Sequence, residues 1–182
     1  MIEWVLLGAI IVIALWAVMA YNGFVTLRMR GKNALSQIDV QLKKRNDLVP
    51  NLVSTVKGYA KHEKKVFTDV TKARTSMMKA SGLKQKAKAS NQLTNTLKSL
   101  FAVAENYPKL QANENFLQLQ KELSSLEEKI AYARSFYNDV VQMYNTKLEV
   151  VPDSIIGNRF GFKKLPFFET AAGEKKAPKV EF

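Results

Sequence analysis

Residues 116–144 read FLQLQKELSSLEEKIAYARSFYNDVVQMY, and one stripe within that stretch decides the fold class. Phe116, Leu119, Leu123, Leu126, Ile130, Ala133, Tyr137, Val140 and Tyr144 recur at strictly alternating spacings of three and four. That spacing stacks side chains on one face of a 3.6-residue helix, whereas a strand needs period two. No stretch of this sequence alternates with period two over a useful length, so no sheet is expected.

Working outward, the same pattern runs through Leu35, Ile38, Leu42, Val49, Leu52, Val56, Tyr59, Val66, Val70, Ala73 and Met77. Only Arg45 and Glu63 interrupt that seam, and it predicts one helix over about 28–80. Pro50 lies inside it. A proline removes one backbone donor, so a kink between Arg45 and Pro50 is expected rather than an end, because the register resumes unchanged. Ser81 and Gly82 break the pattern, and a second helix over 84–106 carries Leu93, Leu97, Leu100 and Ala104. Pro108 marks a turn, a third helix spans 113–150, and after Pro152 either Asp153 or Ser154 caps a short helical turn through Ile155 and Ile156. The expected fold is all-α: an N-terminal transmembrane helix, then an elongated antiparallel bundle of three long helices with a short C-terminal helix or strap. The first helix would be about 75 Å long if straight. The second is much shorter, so seams left without a partner in one chain predict a homo-oligomer.

The N-terminal stretch from Trp4 to Tyr21 carries no charge, and Ile10 through Ala20 has no polar side chain. With Phe24 and Val25 added it is long enough to cross a hydrocarbon core of about 30 Å. Trp4 and Tyr21 stand where an aromatic belt would place them, Ile10 lies mid-span, and Trp16 lies within the span. Residues 1–27 are therefore read as anchor and juxtamembrane segment. A cleaved secretory signal is the competing reading, with Val18, Met19 and Ala20 at positions a signal peptidase tolerates. It is disfavoured by the missing basic n-region and the long apolar run. Only Glu3 precedes the span, while Arg28, Arg30 and Lys32 follow it, which places the C-terminal domain in the cytoplasm by the positive-inside rule.

The net charge is +12, and Arg28 through Lys88 holds 16 basic against 4 acidic residues, so the excess belongs to that segment. Such a run is usually a solvated helix face; anionic lipid, an acidic partner or nucleic acid are the functional readings. The basic residues are lysine-rich, spread around the helix and without a recognition motif, so no nucleic acid is expected. With no cysteine in the chain, disulfides, thiolate metal sites, a cysteine nucleophile and N-terminal lipidation of cysteine are excluded. His62 is the sole histidine and sits among Lys61, Glu63, Lys64 and Lys65, whose net positive charge repels cations. Glu127 and Glu128 are adjacent and point apart on a helix, a poor acid and base pair. The spacing of Gly157 and Gly161 lies outside any apolar span and reads as a turn. No catalytic, cofactor-binding or metal site is expected.

Arg45 and Glu63 are the polar residues of interest, because a buried seam position needs a partner and such residues set register or oligomeric state. Two readings stay open for Arg45: a partner among Asp39, Asp47, Asp139 and Glu149, or a stem that snorkels to water at the kink. Tyr137-Asn138 and Tyr144-Asn145 repeat one heptad apart and read as packed tyrosines hydrogen-bonded at the bundle edge. Over 152–169, Phe160, Phe162, Phe167 and Phe168 alternate with Arg159, Lys163 and Lys164. Those aromatics either strap the bundle end or contact a membrane surface or partner. Residues 170–182 read as a flexible tail.

Three runs resemble the LemA family of bacterial single-pass membrane proteins. They are VQLKKRNDLVPNLV at 40–53 continuing through VKGYAKHE at 56–63, then ANENFLQLQ at 112–120, and finally Ala133-Arg134 with FYND at 136–139, Tyr144-Asn145, Phe160-Gly161-Phe162 and Pro166-Phe167-Phe168. With the anchor, the resemblance covers about Trp4 to Glu169. It implies a bacterial inner-membrane protein with a single-pass anchor and a helical bundle; it supplies no catalytic residues. The function expected is a non-enzymatic, membrane-anchored, self-associating scaffold that presents a bundle surface to other membrane or envelope proteins or to peptides. The alternative is a lipid-binding or envelope-remodelling protein that uses the basic first helix and the Phe-rich segment.

Overall fold

The computed structural model describes residues 1–168, and among them there are helices and no strand. The order is α1 (Ile2–Tyr59), α2 (Lys64–Lys79), α3 (Leu83–Ala104), α4 (Pro108–Gln111), α5 (Glu114–Glu149) and α6 (Asp153–Arg159). The all-α expectation holds. The tail expected over 170–182 lies outside the described residues.

The helix expected over 28–80 is in two pieces, and the first piece starts at Ile2. Its continuity across Gly23 and Gly31 joins the apolar N-terminal stretch to the body of the protein without a linker. The break at residues 60–63 has a local cause. Gly58 costs about 1 kcal/mol in a helix interior, and Lys57, Lys61 and Lys65 would stack like charges at spacings of four. The break also moves the seam: Ala60 is buried in place of Tyr59, which is exposed, and Phe67 joins Val70 and Ala73 inside. Pro50 does not end α1. It leaves the Asn46 carbonyl without its intrahelical donor, and the Arg74 Nε–H donates to that oxygen at 3.2 Å.

Two compact units share α1 and α5: residues 1–37 with 133–167, and residues 38–132 with Phe168. In the second unit Val49, Leu52 and Val56 of α1 meet Val70 and Ala73 of α2, Leu93, Leu97 and Leu100 of α3, Leu110 of α4, and Phe116 and Leu123 of α5. Gly82, at φ +77°, turns the chain between α2 and α3, which pack on one another. Asn113 caps α5, its Oδ1 accepting the Phe116 N–H at 3.0 Å. The α5 stripe is the one the sequence marks: Phe116, Leu123, Leu126, Ile130, Tyr137, Val140 and Tyr144 are all buried. Truncating Leu52 or Leu93, each fully buried, should cost about 2–5 kcal/mol.

In the first unit Ala20 and Phe24 of α1, Tyr144 and Leu148 of α5 and Ile156 of α6 form one core, edged by Trp16, Ala17, Leu27, Phe162 and Leu165. The seams of α1 and α5 are thus largely buried within one chain, which removes the uncovered-seam argument for an oligomer.

Candidate membrane-facing site

Helix α1 is long and apolar enough to cross a membrane by length and composition, and its most apolar window is wholly unburied. Around the end of that stretch the chain builds a collar from α5, α6 and the segment that follows. Pro152 biases Val151 away from helix and closes α5. After α6 the chain reverses through a Schellman arrangement, with Phe162 N–H on the Gly157 carbonyl at 3.0 Å and Gly161 N–H on the Asn158 carbonyl at 3.3 Å. Gly161 supplies the required positive φ, +69°.

That reversal sends Phe160 and Phe162 to different environments. Phe162 lies over Phe24 with ring centres 5.0 Å apart and planes 21° from parallel. Phe160 stays 60% exposed, yet meets Tyr21 edge-on at 5.0 Å. Gly157 is required by close approach: a Cβ there would sit 2.7 Å from Leu148 Cδ2 and 3.2 Å from Phe24 Cζ. Asn145 pins the following segment from both sides. Its Nδ2 donates to the Leu165 carbonyl and its Oδ1 accepts the Leu165 N–H, each at 2.9 Å. The Tyr137 hydroxyl donates to the Pro166 carbonyl at 2.9 Å. Burial raises the pKa of Tyr137 above its ordinary value, and that of Tyr144 too, where Arg28 partly opposes the rise. Lys147 pairs with Asp153 at 2.8 Å, its Nζ lying 5.2 Å from the centre of the Phe24 ring. Beyond Phe24 on α1, a groove of about 400 Å³ is lined by Val25, Met29, Leu35, Tyr137 and Leu165, with Arg28 and Lys32 as its cations.

The second unit holds a buried polar node on Arg45, which is wholly inaccessible. Its Nη1 donates to Glu127 Oε1 at 2.6 Å and Thr94 Oγ1 at 2.8 Å, and its Nη2 to Ser90 Oγ at 2.7 Å and the Ser90 carbonyl at 3.2 Å. Nε has no hydrogen-bond partner among the described residues. The snorkelling alternative is therefore not what the fold uses, and Glu127 replaces the four carboxylates considered from sequence. A signal for part of this node was present: Ser90 lies three residues before Leu93 on the α3 stripe, a small polar residue on a seam that faces a seam arginine. Glu127 gave no such signal, because it flanks its stripe between Leu126 and Ile130.

The other singled-out residues fall in distinct places. Trp4 and Ile10 are exposed on the free part of α1, Trp16 is partly buried and Tyr21 partly exposed. Glu63 is not a helix seam residue; it sits at the break before α2, half-buried, and accepts a hydrogen bond from the Tyr107 hydroxyl at 3.4 Å. Arg159, Lys163 and Lys164 are exposed, Lys164 pairing with Glu149. Phe167 is half-exposed and Phe168 is buried. Among the described residues no group of three or more His, Cys, Asp or Glu is placed to hold a metal.

Comparison with known proteins finds relatives over most of the chain. The magnetosome proteins MamQ 2 and MamQ 1 of Paramagnetospirillum magneticum are each 27% identical to it over 183 residues, covering 86% of this chain and 67% of theirs. Magnetosome protein MamQ of Magnetospirillum gryphiswaldense is 26% identical with the same coverage. The model of the LemA family matches residues 34–182, most of the chain. The chain is a member of the LemA family.

Proposed function

We propose that this protein is a non-enzymatic scaffold anchored in a bacterial inner membrane by the N-terminal part of α1, its helical body in the cytoplasm, and that it self-associates to present a bundle surface to other envelope proteins. The observation that carries the anchoring is the burial pattern of one unbroken helix. Every residue from Ile2 to Leu15 is exposed and all but Glu3 and Gly8 are large or apolar, whereas from Ala20 onward the same helix is folded into packed cores. An apolar surface of that length is unstable in water and stable in lipid. The flanking Arg28, Arg30 and Lys32 set the orientation. Relatives named as magnetosome proteins support a part in a cellular structure rather than a reaction.

Self-association rests on α5, where Phe136 and Met143 are exposed one heptad apart. The chain has no cysteine, so Met143→Cys gives a unique site for oxidative cross-linking in native membranes. A disulfide-linked dimer band is expected; a chain that stays monomeric at this position and at Phe136→Cys would remove self-association through this face.

A further inference from the structure

The exposed apolar surface of α1 does not stop where the collar begins. Val18 and Met19 are 58% and 66% exposed, on the turn of α1 between Trp16 and Ala20. On the other side of that turn Ala20 shares a core with Leu148 and Ile156, with Trp16 and Ala17 at its edge. Tyr21 meets Phe160 and Phe162. The collar therefore stands at the same level along α1 as apolar surface that is stable in lipid.

We propose that the turn between α5 and α6, with α6 itself, is a second membrane element, immersed in the leaflet through which α1 leaves the bilayer and contacting anionic phospholipid there. This rests on the anchoring reading above. The outward surface suits that environment. Val151 is 79% exposed, Ile155 61% and Phe160 60%, with Val150 beside them. The turn's own backbone closes on itself: Ser154 N–H bonds the Val150 carbonyl at 2.8 Å and Ile155 N–H the Pro152 carbonyl at 3.1 Å. Irregular backbone at a membrane interface needs such internal pairing. The charges at this level pair off, Lys147 with Asp153 and Glu149 with Lys164. Arg159 and Lys163 are exposed on the same short stretch, where a phosphate layer would meet them.

The test uses the full chain with single cysteines at Val151→Cys and Ile155→Cys, and at Ile10→Cys and Met78→Cys as references. Each is labelled with bimane in detergent and reconstituted into phosphatidylcholine and phosphatidylglycerol vesicles. All four positions are exposed within the chain, so the labels need not disturb a core. Brominated acyl chains should quench the labels at 151 and 155 as they quench the label at 10. Aqueous iodide should quench them at least about fivefold less than the label at 78, since hydrocarbon excludes the ion. If positions 151 and 155 behave like 78 while 10 is quenched by lipid, anchoring stands and the immersed turn is wrong. If neither quencher reaches 151 and 155, protein covers the turn and the proposal also fails. Iodide quenching of the label at 10, without lipid quenching, would remove the anchor and the immersed turn together.

Discussion

Arg74 supplies the hydrogen bond that Pro50 takes away: its Nε donates at 3.2 Å to the Asn46 carbonyl, the one oxygen in α1 that proline leaves without an i+4 donor. A proline inside a long helix is thus tolerated because another helix satisfies the freed acceptor. Arg74→Met should cost about 1 kcal/mol, the net worth of such a bond. Pro50→Ala restores the intrahelical donor, so the same Arg74 substitution made in that background should cost markedly less. A double-mutant cycle by urea denaturation in detergent measures the coupling. Strictly additive effects would show that the contact carries no compensation.

Arg45 and Glu127 predict unequal outcomes for their two single substitutions. Glu127 has a side chain 35% exposed, whereas that of Arg45 is wholly buried. Glu127→Ala leaves a guanidinium buried with only Ser90 and Thr94, and a loss of about 3–5 kcal/mol is expected. Arg45→Met replaces the charge by an apolar chain and leaves a carboxylate able to hydrate, so stability should stay within about 1–2 kcal/mol of the parent. Comparing the two denaturation midpoints checks the ranking, and a larger loss for Arg45→Met would reverse it.

The two buried tyrosines set an alkaline limit. Tyr137 and Tyr144 have folded pKa values raised above the ordinary 10.0 by burial. The unfolded chain therefore loses these protons first as pH rises. Their contribution is fully present below about pH 10 and is lost as pH climbs through the folded values. Tyr144→Phe should flatten the fall of stability above about pH 10 while changing little at neutral pH. Stability measured across that range with and without the substitution tests this, and an unchanged slope would contradict it.

Asn145 holds the chain after α6 by both polar atoms of its amide. Asn145→Ala should cost about 1–3 kcal/mol, since the Leu165 N–H and carbonyl lose their partners together. The released segment should be cut faster by trypsin at the exposed Lys163 and Lys164. Cleavage at the parent rate would show that Tyr137 and the Phe162 stack hold it unaided.

Much of the fold is legible because helix period and burial coincide on α5, where all of the quoted stripe but the half-buried Leu119 and Ala133 lies inside. The break before α2 was not read, although Gly58 and the stacked lysines were in view, because an apolar pattern resumes on the far side of it. Nor does sequence distinguish Phe160 from Phe162, two rings separated by one glycine. Their fates depend on the positive φ of Gly161, which only the closed turn reveals. Likewise the partner of Arg45 comes from residues 45, 49 and 82 positions away, a pairing made by packing and carried by no local pattern. The apolar N-terminal stretch of α1 is plain from composition, but the collar around its end is not, since it joins α1 to a segment more than a hundred residues later.

Membrane anchoring through α1 is tested most directly by fractionating cells that express the full chain, extracting the membranes with alkaline carbonate and floating them through a density gradient. The chain should remain with the floated vesicles and leave them only in detergent. Release of the intact chain into the carbonate supernatant would contradict anchoring by α1 and, with it, the membrane role proposed for the protein.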